Sequence, residues 1–186
     1  GGGRGNPFEA GLRKWGPAVL IYARHGDEIL MMHRNTRTNA ADYHSGRWNG
    51  LGGKLEVDES FRAAAAREFQ EEARLRISAS RFSLFGVLQF PNFKAHKNED
   101  WLCHVYGLSL RTDEVAAISV GRTESGAEGT LHWVASSKLL ELNLWPGDRS
   151  FLPFVISGTR FSGTIWYEGL ALRQVEVQEW GRTYID

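Results

Sequence analysis

The chain has 186 residues, enough for one domain with a substantial core, and no Pro-, Ser- or charge-rich stretch that would serve as an interdomain linker. Lys plus Arg (22) balance Asp plus Glu (22), so the overall charge gives no reason to expect tight binding to duplex nucleic acid, although a small anionic ligand needs only local charge and a metal. The single cysteine, Cys103, excludes an intrachain disulfide and suits a reduced, cytoplasmic setting. It lies in a strand-like run where a lone thiol serves as a small apolar side chain.

The glycine-rich opening reads as a flexible segment over residues 1–16, ahead of one domain over 17–186. No apolar run reaches the ~20 residues of a membrane span, and no basic-then-apolar leader is seen, so a soluble chain is expected. Two apolar runs, 17–24 and 28–33, flank His25-Gly26-Asp27 as a hairpin, and a polar loop over 35–47 follows. Residues 48–55 pack three glycines into a strand-like stretch, which predicts a close backbone approach there. Asp58 or Ser60 is placed to cap a helix built on Ala63 to Ala66. Strands are predicted over 82–90, 100–108 and 130–135, a short helix over 136–141, a second helix after the turn Trp145-Pro146-Gly147-Asp148, and a closing hairpin over 160–167 and 170–177 around Glu168-Gly169. This order of elements predicts a mixed β-sheet flanked by helices, an α/β class.

The chemistry concentrates on the central helix. Glu68, Glu71 and Glu72 stand at i, i+3 and i+4 and share one face, beside an apolar stripe of Ala65, Phe69 and Ala73. One face can dock on the sheet while its neighbour presents three carboxylates, whose mutual repulsion calls for a cation or protons. A solvated acidic face is the commoner use of such a triplet, but a glycine-rich loop entering the same helix suits a hard cation such as Mg²⁺, which takes oxygen ligands and substrate phosphates.

Residues 53–75, GKLEVDESFRAAAAREFQEEARL, resemble the Nudix box, with Gly53, Glu59, Arg67, Glu68, Phe69, Glu71, Glu72 and Leu75 in place and Arg74 where the box has glycine. The resemblance implies an α/β/α sandwich that hydrolyses a nucleotide pyrophosphate linkage with Mg²⁺, or Mn²⁺ in its place. It implies that Glu68, Glu71 and Glu72 ligate the metal with the carbonyl of Gly52 nearby, that Arg67 orients the glutamates, and that Glu59 pins the loop to the helix. Glu72, Glu71 or a distant glutamate, Glu128, would take the proton from the attacking water.

Beyond the box, Gly46 to Lys54, Leu144 to Asp148 with Phe151-Leu152-Pro153, and Phe161-Ser162-Gly163 resemble the family's MutT-type enzymes for oxidised purine nucleoside triphosphates such as 8-oxo-dGTP. By that likeness Asn49, Trp145 and Asp148 would contact the base, although Gly147 stands where the human-type enzyme has a first aspartate. Each also has a plainer reading: turn residue, core aromatic and helix cap, respectively. A rival within the family is an ADP-ribose or nucleotide-sugar pyrophosphatase, marked by Pro91 sixteen residues past the box, or simply a strand ending after Phe90. A rival outside enzymes is a non-catalytic nucleotide-binding module. His44, His96 and His104 lack the spacing of a zinc site. A small nucleotide is the expected partner, without duplex nucleic acid or membrane, for a monomer or homodimer.

Overall fold

A computed structural model describes residues 5–36, 44–122 and 128–181. The first strand, β1 (Lys14–His25), starts three residues before the apolar run that signals it. Tertiary contacts extend it: Arg13 pairs with Asp100 at 2.7 Å, Trp15 stacks on Phe8, and β1 runs parallel to β6 (Glu99–Ser109) from Lys14 opposite Glu99 onward. β2 (Glu28–Arg34) returns antiparallel, as the turn at 25–27 predicts. The glycine-rich stretch splits in two: β3 (Trp48–Asn49) pairs with β2, and β4 (Leu51–Lys54) pairs with β1. The break falls at Gly50, where a Cβ would lie 2.8 Å from the Tyr22 ring. The loop expected over 35–47 lies partly outside the described residues.

The remaining strands are β5 (Ser83–Lys94), β7 (Gly129–Ala135), β8 (Phe161–Glu168) and β9 (Ala171–Glu179), in the mixed order β3-β2-β1-β6-β5-β8-β9 with β4 on β1 and β7 on β2. β5 does not end at Phe90. It runs on to Lys94 through an irregularity between Phe90 and Lys94, where Pro91 meets no ladder position that needs its missing N–H. Asn92 takes a left-handed φ of 53° there.

Period-2 alternation gives the sheet two apolar faces. Val19, Ile21, Ala23, Tyr106 and Leu108 line one, and Tyr22, Cys103 and Val105 the other. α1 (Phe61–Ala73) covers the first with Ala65, Phe69 and Ala73, all buried as their spacing predicts. α3 (Leu152–Ser157), with Leu139 and Phe151, covers the second. The result is the expected mixed sheet between helices.

Local chemistry sets the helix ends. Ser60, not Asp58, caps α1: its hydroxyl accepts from the Ala63 N–H at 3.1 Å, while Asp58 sits in the preceding turn at φ 64°. At the far end Arg74 adopts the left-handed conformation a glycine would take (φ 57°) and its N–H bonds Gln70 O at 3.0 Å, so the exit is undistorted at a cost of about 1 kcal/mol in backbone strain. Sequence patterning misses α2 (Thr112–Ala116), which is five residues long and is held by Arg81 on the buried Glu114 at 2.6 and 2.9 Å. The short helix over 136–141 is of the tight 3₁₀ kind, the turn at 145–148 leads into another 3₁₀ turn over 146–150, and the second helix expected after it is α3.

Candidate active site

The loop between β4 and α1 and the first two turns of that helix are tied together by one guanidinium. Arg67 sends Nε and Nη2 to the two oxygens of Glu59 at 2.7 and 2.8 Å, Nη2 also to the carbonyl of Lys54 at 3.0 Å, and Nη1 to Glu68 at 2.9 Å and Glu71 at 3.4 Å. Glu59 in turn accepts from the backbone N–H of Glu56 at 3.0 Å. The fork geometry of a planar guanidinium suits this pinning, and lysine cannot reproduce it. The Arg67 fork holds the Glu59 carboxyl down at about 2. A carboxyl depressed below its unfolded value near 4.5 adds stability that is complete above that value and is lost as pH falls toward 2. Glu59→Gln is therefore expected to lower the urea midpoint at pH 7, and the gap is expected to narrow below pH 4.5 and to close only near pH 2. Equal midpoints at pH 7 would mean that the pair does not hold the loop.

The three glutamates differ in environment. Glu71 is largely exposed, and Glu68 and Glu72 are drawn inward. Burial raises Glu68 above the usual carboxylate range despite Arg67, and burial followed by the charge of Glu68 pushes Glu72 up to about 8. Glu72 Oε2 accepts from the Gly52 N–H at 2.9 Å. Gly52 thus meets the acidic group through its amide. A side chain at Gly52 would strike the backbone carbonyl of Val19, so close approach demands glycine there, and one at Gly53 would lie 2.5 Å from the Glu68 carboxylate and displace it.

Glu128, the residue before β7, adds its field to Glu68 and Glu72 and pairs with Arg34 at 2.9 Å. The structure therefore brings this distant glutamate to the same cluster. Among the described residues no three His, Cys, Asp or Glu side chains converge as a closed metal cage. The donor set still suits a hard divalent cation: it is all oxygen, and the half-buried Glu72 carries a charge that a proton or a cation would offset.

The residues expected to read a base lie around the chain crossing at 47–49 and 143–148. Trp48 N–H donates to Asn143 O at 3.0 Å, Arg47 Nη1 to Leu144 O at 2.7 Å, and the Arg47 guanidinium lies 4.5 Å from the Trp145 ring centre. Trp145 is 6% exposed, meets Tyr167 edge-to-face at 5.2 Å and Phe93 at 5.8 Å, and donates Nε1–H to His44 at 3.2 Å. Asp148 is buried and its carboxyl makes no hydrogen bond among the described residues, and burial pushes it up to about 7. It does not act as a side-chain helix cap. The buried Nδ2 of Asn49 likewise has no partner. Phe93 and Tyr167 escaped the sequence reading, because neither belongs to a motif and both arrive from other strands.

His104 stacks on Phe61 at 3.6 Å and His44 accepts from Trp145, so each has its own partner. A separate cavity of about 240 Å³, lined by Tyr22, Arg24, Phe85, Ser109 and Val155 among others, contains none of the predicted site residues.

A model of the NUDIX domain matches residues 13–155. The NAD-capped RNA hydrolase NudC of Edwardsiella ictaluri is 29% identical over 54% of this chain and 44% of its own length. The dihydroneopterin triphosphate diphosphatase of Haemophilus influenzae is 32% identical over 47% of this chain and 60% of its own, so the chain spans about half the length of these two relatives. The oxidized purine nucleoside triphosphate hydrolase of Mus musculus is 23% identical over 64% of this chain and 69% of its own. Among solved structures, a MutT protein from Bacillus halodurans shares the fold with a TM-score of 0.70 at 21% identity, covering 87% of this chain and 97% of that one. The carboxylate helix, the glycine loop that enters it and the match across most of the chain agree: the chain belongs to the NUDIX domain family.

Proposed function

We propose that the chain hydrolyses a purine nucleoside triphosphate, including an oxidised one such as 8-oxo-dGTP, to the monophosphate and pyrophosphate, with Mg²⁺ bound. The observation that carries the substrate class is the buried Asn49 amide nitrogen, which has no partner among the described residues, together with the Asp148 carboxyl three residues after Trp145, which accepts no hydrogen bond among them. Orphaned buried groups cost about 1–3 kcal/mol each unless a ligand satisfies them, and an amide and a carboxyl beside an indole match the edge and face of a base. The relative named for oxidised purine nucleoside triphosphates supports the same reading.

Glu68, Glu71 and Glu72 would hold the cation, with the Gly52 carbonyl as a fourth oxygen. Once bound, a divalent cation draws charge from the phosphoryl oxygens and lowers the pKa of a bound water. The chain's own part is to fix the carboxylates through Arg67, to keep Glu59 locked on the loop, and to offer Glu71, Glu72 or Glu128 as the proton acceptor. Pro91 gives the ADP-ribose reading no support, because the strand irregularity accounts for it.

The test is product analysis with Mg²⁺ over 8-oxo-dGTP, dGTP, dATP, ADP-ribose and a nucleotide sugar, repeated after chelation. Monophosphate and pyrophosphate from the purines, abolished by chelator and restored by Mg²⁺, are expected. Preferred cleavage of ADP-ribose or the nucleotide sugar would overturn the substrate class, and nucleotide binding without turnover of any of them would favour a binding module.

Asp148 gives the pocket a pH signature. Its folded value, about 7, lies above the unfolded value near 3.8, so its contribution to stability is complete below about 3.8 and is lost as pH rises through 7. Asp148→Asn should therefore gain thermal stability relative to the parent between pH 5 and 8 while binding nucleotide less well. Parallel stability curves would place the carboxyl in contact with water.

A further inference from the structure

Gly147 stands where a side chain would be expected to reach the base, and the structure shows what fills that space. A Cβ on Gly147 would fall 2.6 Å from Tyr167 Oη and 2.7 Å from Ile165 Cγ2. The glycine is therefore complementary to the tyrosine, which continues the inward row of Phe161, Gly163 and Ile165 on β8. The pairing with β9 slips by one residue at this point, with Arg173 left over between Gln174 opposite Trp166 and Leu172 opposite Tyr167.

The orientation of Tyr167 is fixed on two sides. Its ring meets Trp145 edge-to-face at 5.2 Å and 74° and Phe93 at 6.0 Å, and its oxygen accepts the Gly147 N–H at 2.8 Å. A phenol has one hydrogen to give, and among the described residues that hydrogen has no acceptor. Burial and then the neighbouring Asp148 hold the phenol well above its usual range, so the group keeps its proton at neutral pH. Asp148 itself takes up no hydrogen bond. A bound donor and a buried acceptor thus stand near each other at one end of Trp145.

Resting on the base-pocket reading above, we propose that the Tyr167 hydroxyl is a specificity-determining donor of this pocket, selecting a nucleotide base that offers an acceptor beside a donor on one edge, as the lactam of a 6-oxopurine does. The ring carbonyl would accept from Tyr167 and the adjacent ring N–H would donate to Asp148. Unmodified purine lacks both partners of that pair.

The experiment measures binding of inosine 5′-monophosphate, purine riboside 5′-monophosphate and ribose 5-phosphate to the full chain with Mg²⁺ by calorimetry, in the parent, Tyr167→Phe and Trp145→Ala. The parent is expected to prefer the oxopurine, and Tyr167→Phe to narrow that preference by about 3–10-fold, the worth of one net hydrogen bond. In turnover of the corresponding triphosphates the loss should fall on KM rather than kcat. Fluorotyrosine at 167, which keeps the ring and strengthens the O–H as a donor, should widen the preference, and it serves if the phenylalanine variant does not fold. A preference unchanged by either replacement, while Trp145→Ala still weakens the nucleotides more than ribose 5-phosphate, would overturn the role of Tyr167 and leave the pocket standing. If Trp145→Ala weakens all three equally, the pocket reading fails and the role of Tyr167 with it.

Discussion

Glu71→Gln is expected to lower kcat by about 10²–10⁴ while leaving the thermal midpoint within a degree or two of the parent, the first magnitude being that of a lost base or charge at a hydrolytic centre and the second that of a surface substitution. The contrast arises from the position of Glu71. Its side chain is 57% exposed and its contacts in the protein are the 3.4 Å approaches to Arg67, so an amide of the same shape costs the fold little. The same amide lacks the negative charge that a hard cation or a water proton requires. Glu72 offers no such clean separation, because it is half-buried and accepts the Gly52 N–H, so its replacement alters stability as well as chemistry. Turnover close to the parent in Glu71→Gln would remove this residue from the metal site, and an unfolded variant would mean that the Arg67 contacts are structural.

Trp145→Ala is expected to raise KM for purine triphosphates by about 10–100-fold, the worth of ~1–3 kcal/mol of base stacking, with a much smaller effect on inorganic tripolyphosphate. The indole joins two roles. It closes an aromatic group with Phe93 and Tyr167, so some stability is lost as well, and Arg47 and His44 cover it from the side of the 44–48 segment. At 6% exposure it can present a stacking face only if that cover shifts as the base enters. The ratio of the two KM changes separates the roles, since a purely structural tryptophan would weaken both substrates alike. Equal changes would return Trp145 to the core and leave the proposed base pocket without a stacking face.

The parts of the site that could be read in the sequence are those whose geometry is local. Glu68, Glu71 and Glu72 share a face because a helix repeats every 3.6 residues, and Ala65, Phe69 and Ala73 bury the neighbouring stripe for the same reason. The closing hairpin around Glu168-Gly169 also followed from alternation and a turn glycine, which takes φ 62°. Ser60 and Asp58 could not be ranked as caps, since the choice depends on which residue takes the left-handed turn. The short α2 left no periodic trace, because five residues make little more than one turn and an ion pair from Arg81 anchors them. Pro91 misled toward an early strand end because the irregularity that accommodates it is a property of the β5 and β6 pairing.

Position-by-position motifs determined the family, the carboxylate helix and the division of the sheet into two apolar faces, since spacing along one element fixes which side chains share a surface. Tertiary structure alone decided that Glu128 reaches the field of Glu68 and Glu72, that Arg47 lies across Trp145, and that Tyr167 fills the place left by Gly147. The hydrogen bonds of this pocket from Gly147 to Tyr167 and from Trp145 to His44 span 20 and 101 residues of sequence. No periodicity spans such separations. They meet because burying two opposite faces of one sheet leaves a single way to pack the edges, and the chemistry of the pocket is set by what that packing brings together.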